Sequence, residues 1–364
     1  MWLAIGAFLA SIAWTQNNAP ESFDDLSARA VDAFNAHRTI EAEDFFSRAL
    51  KLRPNWAEGW WALGTMHYDS NQYEQCRSDT ARMVAIDPAA GAGWALLGLC
   101  EFETRQFDLS FEHLKRAHML APSGASGQLI DVADYHLGLL LTRQGAFEIS
   151  QEILLRVAEH VKQNESMMFG SGLAVLRIPI LPAEVKPEQK EVLFLAGKTF
   201  WDICTRPPAD AEADFTALLS KYGNFPNAHY FYGTWLAVHR SEAARPEFLK
   251  ELQVNPSSVP ARVQLALLDL VDQNLDRALD EAREAVRLSP DSVGSQLALG
   301  RALRAREDHP GALQAFLAAK RLDPVSPEIR LYVVNEYRAL GRLPDMRSEQ
   351  VEYDRLKAEL KNWP

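Results

Sequence analysis

Six prolines divide this chain into units of one length. They form two series, Pro54, Pro88 and Pro122, then Pro256, Pro290 and Pro324. Within each series, neighbouring prolines are 34 residues apart. A fixed period between 20 and 50 residues is typical of a solenoid, in which one supersecondary unit is copied and stacked. The period therefore predicts an extended surface rather than a single deep pocket.

Other positions follow the same period. Trp60-Trp-Ala-Leu-Gly64 is echoed by Trp94-Ala-Leu-Leu-Gly98, and Leu299-Gly300 falls at the matching place. Five residues before the prolines stand Ala49, Met83, Ala117, Ala285 and Ala319. This pattern resembles the tetratricopeptide repeat, a helix–turn–helix unit with small residues at the helix contact and a proline after the second helix. The resemblance implies an all-α fold, a right-handed α-solenoid of stacked helix hairpins.

Composition narrows the classes of function. The 364 residues are 47% hydrophobic and 24% charged, with a net charge of −11. The first 258 residues hold 32 acidic and 22 basic side chains, whereas the remainder holds 17 and 16. No basic run is dense enough to indicate nucleic-acid binding. Gly197-Lys198-Thr199 is similar to the end of a phosphate-binding loop, but Val192 stands where that loop needs glycine. The sequence therefore predicts no enzyme activity, no cofactor and no small-molecule substrate.

Histidines and cysteines indicate no site either. The nine histidines are scattered, and only His113 and His118 are close in sequence, so we interpret them as surface residues without a metal. Cys76 and Cys100 occupy small-residue positions in adjacent repeats and could approach each other, but two buried free thiols are the favoured state. With Cys204 the count is three, which argues against dependence on disulfides.

The N-terminus predicts export. An apolar run of 13 residues ends at Ser11-Ile12-Ala13 and is followed by polar residues. This run is too short to span a bilayer and resembles the core of a secretory signal, although no Lys or Arg precedes it. Residues 1–20 are therefore predicted to be a signal peptide and leader, which places the chain in the periplasm or at the surface of a bacterium. The alternative is a short helix capping the first repeat of a cytoplasmic protein.

The repeats divide the chain into three further parts. Residues 21–164 are predicted to hold four repeats, and residues 226–364 four more that end in a capping helix. Between them, residues 165–225 are predicted to be a divergent insertion. It would consist of an irregular segment and a degenerate hairpin, Glu188–Cys204 with Ala209–Tyr222.

Residues 165–187 lead to two hypotheses. Met167, Met168 and Phe169 look exposed beside glycines and precede the stiff run Ile-Pro-Ile-Leu-Pro. Flexible methionines and rigid prolines suit a segment that occupies an apolar binding surface until a partner arrives. Alternatively, the segment only covers the exposed face between the fourth repeat and the next hairpin.

The family resemblance also implies a binding surface. In tetratricopeptide repeats the first helix of each hairpin lines the concave face, at positions offset from its buried residues. The N-terminal candidates are Trp61, Thr65, Tyr68, Asp69, Leu99, Phe102, Glu103, Tyr135 and Leu139, together with Ala95 and Thr142. The C-terminal candidates are Arg301, Arg304 and Arg338, together with Leu297, Leu331 and Asn335. The alternatives are packing between repeats for the aromatic residues and a solvated helix face for the arginines.

Together these features predict an exported, non-enzymatic scaffold that binds a protein or peptide partner. An alternative is a component of envelope assembly or of polysaccharide or protein export, within a membrane-associated complex. A third possibility is an enzyme with a repeat arm, which would require a catalytic unit hidden in residues 165–225.

Overall fold

The computed structural model describes residues 21–121, 127–162 and 164–361. Within these ranges the chain is helical and contains no strand. None of the described helices is both long enough and apolar enough to cross a membrane. The predicted signal segment, residues 1–20, lies outside the described residues.

Nineteen α-helices follow one another in the described ranges. Two short 3₁₀ turns, Pro182–Glu184 and Pro187–Gln189, separate α9 from α10. The helices are α1 (Phe23–Asn35), α2 (Thr39–Leu52), α3 (Ala57–Asp69), α4 (Tyr73–Ile86), α5 (Gly91–Glu103), α6 (Phe107–Leu120), α7 (Gln128–Arg143), α8 (Phe147–His160), α9 (Glu165–Val175), α10 (Lys190–Thr205), α11 (Pro208–Tyr222), α12 (Ala228–His239), α13 (Ser241–Val254), α14 (Val259–Val271), α15 (Leu275–Leu288), α16 (Val293–Ala305), α17 (His309–Leu322), α18 (Pro327–Ala339) and α19 (Leu343–Glu359).

Consecutive helices pack as hairpins. Four hairpins, α1/α2 to α7/α8, precede the middle of the chain, and four more, α12/α13 to α18/α19, follow it. Between them α9 pairs with α10, and α11 contacts both α10 and α12. Some first helices also touch the next first helix, as α5 touches α7 and α14 touches α16. The described residues therefore form nine stacked hairpins, which confirms the predicted all-α solenoid.

Most first helices end in the same turn. The second residue after α5, Arg105, has a φ of 59°, and the next N–H, that of Gln106, donates to the Glu101 carbonyl at 2.8 Å. This bond, reaching back five residues across a left-handed residue, is the Schellman termination. The residues in this left-handed position are His37, Asn71, Arg105, Gly145, Arg177, Gln273, Glu307 and Gly341. Because Arg177 follows α9, α9 ends as a first helix does.

The period-defining prolines stand where each hairpin meets the next. The second helices α2, α4, α13, α15 and α17 each end two residues before a proline, as predicted. The proline carbonyl then accepts an N–H from a side chain six residues later. These bonds are Trp60 Nε1 to Pro54 O (2.7 Å), Trp94 Nε1 to Pro88 O (3.0 Å), Arg262 Nη2 to Pro256 O (3.1 Å), Gln296 Nε2 to Pro290 O (2.8 Å) and Arg330 Nη2 to Pro324 O (2.9 Å). One bond thus recurs at five junctions with three kinds of donor.

Within a hairpin, the glycine of the first helix lies under a large residue of the second. A Cβ at Gly98 would lie 2.7 Å from Leu114 Cγ, and Ser110 Oγ donates to the Gly98 carbonyl at 2.7 Å. Gly300 is covered in the same way by Phe316. The predicted small residues at the helix contact are therefore present, here Gly98 and Ser110, and the glycine also makes room for the larger residue sixteen positions later.

The prediction of an irregular segment with exposed methionines is wrong. Residues Glu165–Val175 form a regular helix whose start is capped by Asn164, which accepts the Met167 N–H at 3.0 Å. Met167 and Met168 are buried in the largest hydrophobic cluster of the described residues. The glycines mark a close helix contact rather than a flexible loop. Because its methionines lie in the core, the segment does not occupy a binding surface in the way that hypothesis required.

Helix α10 contacts α11, as predicted, but it packs more extensively on α9. A Cβ at Gly197 would overlap the Met168 carbonyl oxygen, and one at Gly172 would overlap that of Leu193, so α9 and α10 cross with their backbones in contact. Gly197 lies inside α10, which excludes a phosphate-binding loop there. Helix α11 also fills the junction with the next hairpin, where Phe215 is fully buried and packs 4.9 Å from the ring of Phe231.

Cys76 and Cys100 form a disulfide, which corrects the expectation of two free thiols. Their Cα atoms are 6.1 Å apart, and both side chains are fully buried. The bond joins α4 to α5 and so links two adjacent hairpins. Cys204 remains a free, half-buried thiol whose pKa burial raises to about 12. The repeat register correctly predicted that the two cysteines could approach each other, but it did not predict that they are oxidised to a disulfide.

Candidate functional site

The candidate site is the side of the first helices that faces away from the second helices, called here the first-helix face. In each first helix it comprises the residues three before, one after, four after and five after the small residue at the hairpin contact. In α3 and α5 these residues are Trp61, Thr65, Tyr68, Asp69, Ala95, Leu99, Phe102 and Glu103. In α14, α16 and α18 they are Val263, Leu267, Leu270, Val271, Leu297, Arg301, Arg304, Ala305, Leu331, Asn335, Arg338 and Ala339.

The N-terminal section of this face is aromatic and acidic. Trp61 and Tyr68 are half-buried and pack over the cluster that contains the disulfide, so the covalent link between hairpins fixes the layer beneath them. Phe102 is half-buried too, with its ring 4.7 Å from the imidazole of His136. Asp69 and Glu103 end α3 and α5 with exposed side chains. The structure therefore brings these five predicted residues onto one part of the surface.

Electrostatics ties the same residues together. Burial raises the pKa of Tyr68 to about 12, and the charges of Glu103, Tyr73 and Asp69 add to that shift. Loss of hydration raises the pKa of the Glu103 carboxyl above its usual value. A positively charged group placed here would relieve both costs. The section therefore suits a cationic or aromatic part of a partner.

Three predicted site residues are not on an open surface. Leu99, Tyr135 and Leu139 are at most 8% exposed. Tyr135 Oη donates to the Ser166 carbonyl at 2.6 Å, and Leu139 lies against Gly170, because α9 packs on α7. Ala95 and Thr142 are likewise buried. For these residues the alternative of packing between repeats holds, and their placement as accessible groove residues is corrected.

The C-terminal section is apolar and basic. Arg338 is exposed and bonds only the side-chain amide oxygen of Asn335, at 3.2 Å, while the half-buried Arg301 has no ion-pair partner among the described residues. The guanidinium of Arg304 lies 5.2 Å from the ring centroid of Tyr332 and 3.9 Å from a Glu336 oxygen. Two of the three predicted arginines thus have charges that no described carboxylate balances.

Comparison with known proteins agrees with this architecture. Residues 263–327 match the family model of the tetratricopeptide repeat. This part of the chain carries tetratricopeptide repeats. The matched region begins within α14 and ends at the first residue of α18. It includes two of the five junction prolines, Pro290 and Pro324. The resemblance inferred from the sequence is thereby confirmed.

Several solved structures are similar to this chain at low identity. MamA from Desulfovibrio magneticus RS-1 is 19% identical, with 47% of this chain and 95% of that chain covered and a TM-score of 0.39. A chain of the APC/C hetero-tetramer Cut9–Hcn1 is 13% identical, with coverages of 92% and 72% and a TM-score of 0.34. Yeast Tom70 is 10% identical, with coverages of 93% and 94% and a TM-score of 0.33. At these values the likeness carries no argument about function. No curated protein matches the chain in sequence.

The repeats also expose residues that the sequence analysis missed. Val238, next to the last residue of α12, and Val271, the last residue of α14, are 81% and 76% exposed. Each stands five residues after the small residue of its helix, Gly233 or Ala266, where Asp69 and Glu103 stand in α3 and α5. Extending that register to the C-terminal repeats would have found both valines.

The interpretation of the histidines as surface residues is wrong for at least two of them. His67 is buried, with Nδ1 2.7 Å from an Asp79 oxygen, and His118 is buried, with Nδ1 2.8 Å from an Asp134 oxygen. These pairs join helices of the repeats. Among the residues described, no group of three or more His, Cys, Asp or Glu side chains could hold a metal ion.

Proposed function

We propose that this chain is a non-enzymatic scaffold that binds a polypeptide segment along its first-helix face. Tetratricopeptide-repeat proteins are generally non-catalytic interaction scaffolds, and an extended surface holds a peptide through many weak contacts. The observation that carries the proposal is that aromatic, apolar and charged side chains lie together on this face without being used up in packing. Trp61, Tyr68, Glu103, Arg301 and Leu331 all keep accessible surface.

Site-specific photo-crosslinking tests this proposal. A photoreactive phenylalanine analogue at Trp61 or Leu331 is expected to crosslink a discrete partner in the native host. The same analogue at Arg321 of α17, an exposed residue on a second helix, is the matched control. Equal crosslinking from both faces, or none from the first-helix face, would contradict the proposal.

We also propose that the protein is exported. Disulfides persist in oxidising compartments, so the buried Cys76–Cys100 bond supports the export expected from the N-terminal apolar segment. An envelope location fits both the general scaffold and the more specific role in envelope assembly or in polysaccharide or protein export. N-terminal sequencing of the mature protein from its host is expected to begin after Ala13. Recovery of intact Met1 from the cytosol, with both thiols open to alkylation, would contradict export.

A further inference from the structure

The charged side chains on the C-terminal section of the first-helix face are all positive. Of the twelve residues of this face on α14, α16 and α18, six are Val or Leu, three are Arg and none is acidic. The eight residues of the same face on α3 and α5 include two carboxylates and no base. The chain as a whole has a net charge of −11. A local basic surface on an acidic protein attracts a partner of opposite charge.

The arginines of this section differ from others in the same hairpins. Arg262 pairs with Glu281 at 2.8 Å, and Arg330 pairs with Glu349 at 2.8 Å, so each is neutralised by a carboxylate of a second helix. Arg301 has no such pair among the described residues, and Arg338 contacts only a neutral amide. Their positive charges are therefore available to pair with the carboxylates of a binding partner.

Arg304 is already held in place for binding. Its guanidinium lies 5.2 Å from the ring centroid of Tyr332 and 3.9 Å from one oxygen of Glu336, whose other oxygen is 2.8 Å from His309 Nδ1. An arginine that is ordered beforehand loses less side-chain entropy when it binds a carboxylate. Arg304 therefore supplies a fixed basic point between the two uncompensated arginines.

Apolar side chains lie between these charges. Leu297 and Leu331 occupy the same position on α16 and α18, and Leu331 is 39% exposed. Val271, at the end of α14, is 76% exposed. A bound segment must therefore carry apolar side chains as well as acidic ones.

We propose that this section binds an extended polypeptide segment in which acidic side chains alternate with apolar ones. The inference rests on the proposed function and adds the chemistry of the partner. Arg304 and Arg338 occupy the same position on successive first helices, so the positive charges recur along the face and the acidic side chains must recur along the bound segment. A nucleic acid fits less well, because the exposed Leu331 and Val271 match apolar side chains rather than a continuous row of phosphates.

Synthetic peptides and the full chain test the proposal by fluorescence anisotropy. The probe is an acetylated and amidated 12-residue peptide with Glu at every third position and Leu and Ala between. A peptide of the same composition with its glutamates clustered at one end, and one with Lys in place of Glu, serve as comparisons. The evenly spaced acidic peptide is expected to bind most tightly, and its affinity is expected to fall as salt is raised.

Charge reversal identifies the binding residues. The double variant Arg301→Glu/Arg338→Glu is expected to weaken binding of the acidic peptide about tenfold or more. The double variant Arg321→Glu/Arg347→Glu changes the net charge equally at exposed arginines of second helices, and a change of less than about twofold is expected there. The milder Arg301→Gln/Arg338→Gln pair gives the same test if charge reversal disturbs folding.

Several outcomes would overturn the inference. Equal weakening in the two charge-reversed variants would do so, as would a failure of the amidated acidic peptide to bind. Binding only by a peptide with a free terminal carboxylate would also contradict it. So would arginine-dependent binding of a single-stranded oligonucleotide in place of the peptide. Binding of the Lys peptide alone would overturn this inference and leave the scaffold proposal standing. The scaffold proposal itself is decided separately, by the crosslinking from Trp61 and Leu331.

Discussion

The two halves of the molecule form the same junction between hairpins with different chemistry. In the N-terminal half an indole N–H of Trp60 reaches the proline carbonyl, and the guanidinium of Arg82 lies 4.5 Å from the Trp60 ring. Trp94 and Arg116 repeat this arrangement at 4.6 Å. These junctions are aromatic, and next to them lies the disulfide that joins α4 to α5.

In the C-terminal half a guanidinium takes the place of the indole. Arg262 and Arg330 each donate one N–H to the proline carbonyl and another to a carboxylate of the following second helix, Glu281 or Glu349. The junction needs only a side-chain N–H that reaches back six residues to the proline carbonyl, so the rest of the donor side chain can vary. A repeat can therefore lose its tryptophan and keep its geometry.

The two halves are joined through the α9/α10 hairpin, and we expect the largest effect from a substitution there. Gly197→Leu would drive a side chain into the Met168 carbonyl, where backbone cannot move aside, so we expect a loss of about 4 kcal/mol or more in the middle hairpin. Thermal unfolding followed by circular dichroism is then expected to split into two transitions, one for each half.

Gly294→Ala is the control for that substitution. Gly294 lies in α16, where an added Cβ meets nothing closer than 3.8 Å, so alanine is expected to stabilise the helix by about 0.5–1 kcal/mol. A single unchanged transition for Gly197→Leu would show that α9 and α10 do not cross at these glycines.

The second effect belongs to the N-terminal half alone. Replacing both Cys76 and Cys100 with serine removes a crosslink between residues 24 apart in sequence. Because the unfolded chain then gains conformational entropy, the free energy of unfolding is expected to fall by about 3 kcal/mol. Hydrogen exchange is expected to accelerate in α3 to α6 and to stay unchanged in α14 to α19. Cys204→Ser is the control for loss of a thiol outside the disulfide. Equal acceleration in both halves would mean that the bond stabilises the whole stack.

The third effect separates the two kinds of junction. Trp94→Phe removes the N–H to Pro88 and is expected to cost about 1 kcal/mol of unfolding free energy, with little dependence on salt. Arg330→Met removes a similar bond and also an ion pair, so its cost should shrink as salt rises from 0.05 to 0.5 M, a range over which the Debye length falls severalfold. Urea unfolding at the two salt concentrations measures both. The same salt response in the two variants would erase the distinction between aromatic and ionic junctions.

Much of this fold could be predicted because its signals are local and repeated. The prolines, the small residue at the helix contact and the Trp60 and Trp94 positions recur every 34 residues and mark helix ends and contacts directly. The prediction for residues 165–225 failed because glycines there have two possible meanings in the sequence. Gly172 and Gly197 serve a contact between two backbones, yet glycine beside methionine and proline also predicts a loop.

The binding surface was harder to predict than the fold, for a physical reason. Register places a residue on a helix face, but the neighbouring helix decides whether that residue stays accessible. Tyr68 and Tyr135 occupy related positions, yet Tyr68 is half-buried whereas Tyr135 is covered by α9, a helix that the sequence did not indicate. Because α9 was not predicted, Tyr135 and Leu139 were wrongly predicted to be accessible.

The smallest expected effect concerns the opposite charges of the two sections. Loss of hydration raises the pKa of Glu103 above its unfolded value, so the folded protein holds that proton more readily than the unfolded chain does. The resulting stability is present below the unfolded pKa, near pH 4, and is lost as pH rises through the folded pKa. Glu103→Gln is therefore expected to stabilise the protein at pH 7, by only about a few tenths of a kcal/mol because the side chain is exposed.

The pH profile of that gain distinguishes charge from packing. Urea unfolding of Glu103→Gln and of the parent chain is expected to differ at pH 7 and to coincide near pH 3, where the glutamate is protonated in both states. Glu58→Gln, an exposed position in the first turn of α3, controls for the change from carboxylate to amide. A gain that persists at pH 3 would mean that glutamine merely suits the helix better. In that case the acidic section would carry no electrostatic cost for a cationic partner to relieve, and its contrast with the arginine-bearing section would be one of composition rather than energy.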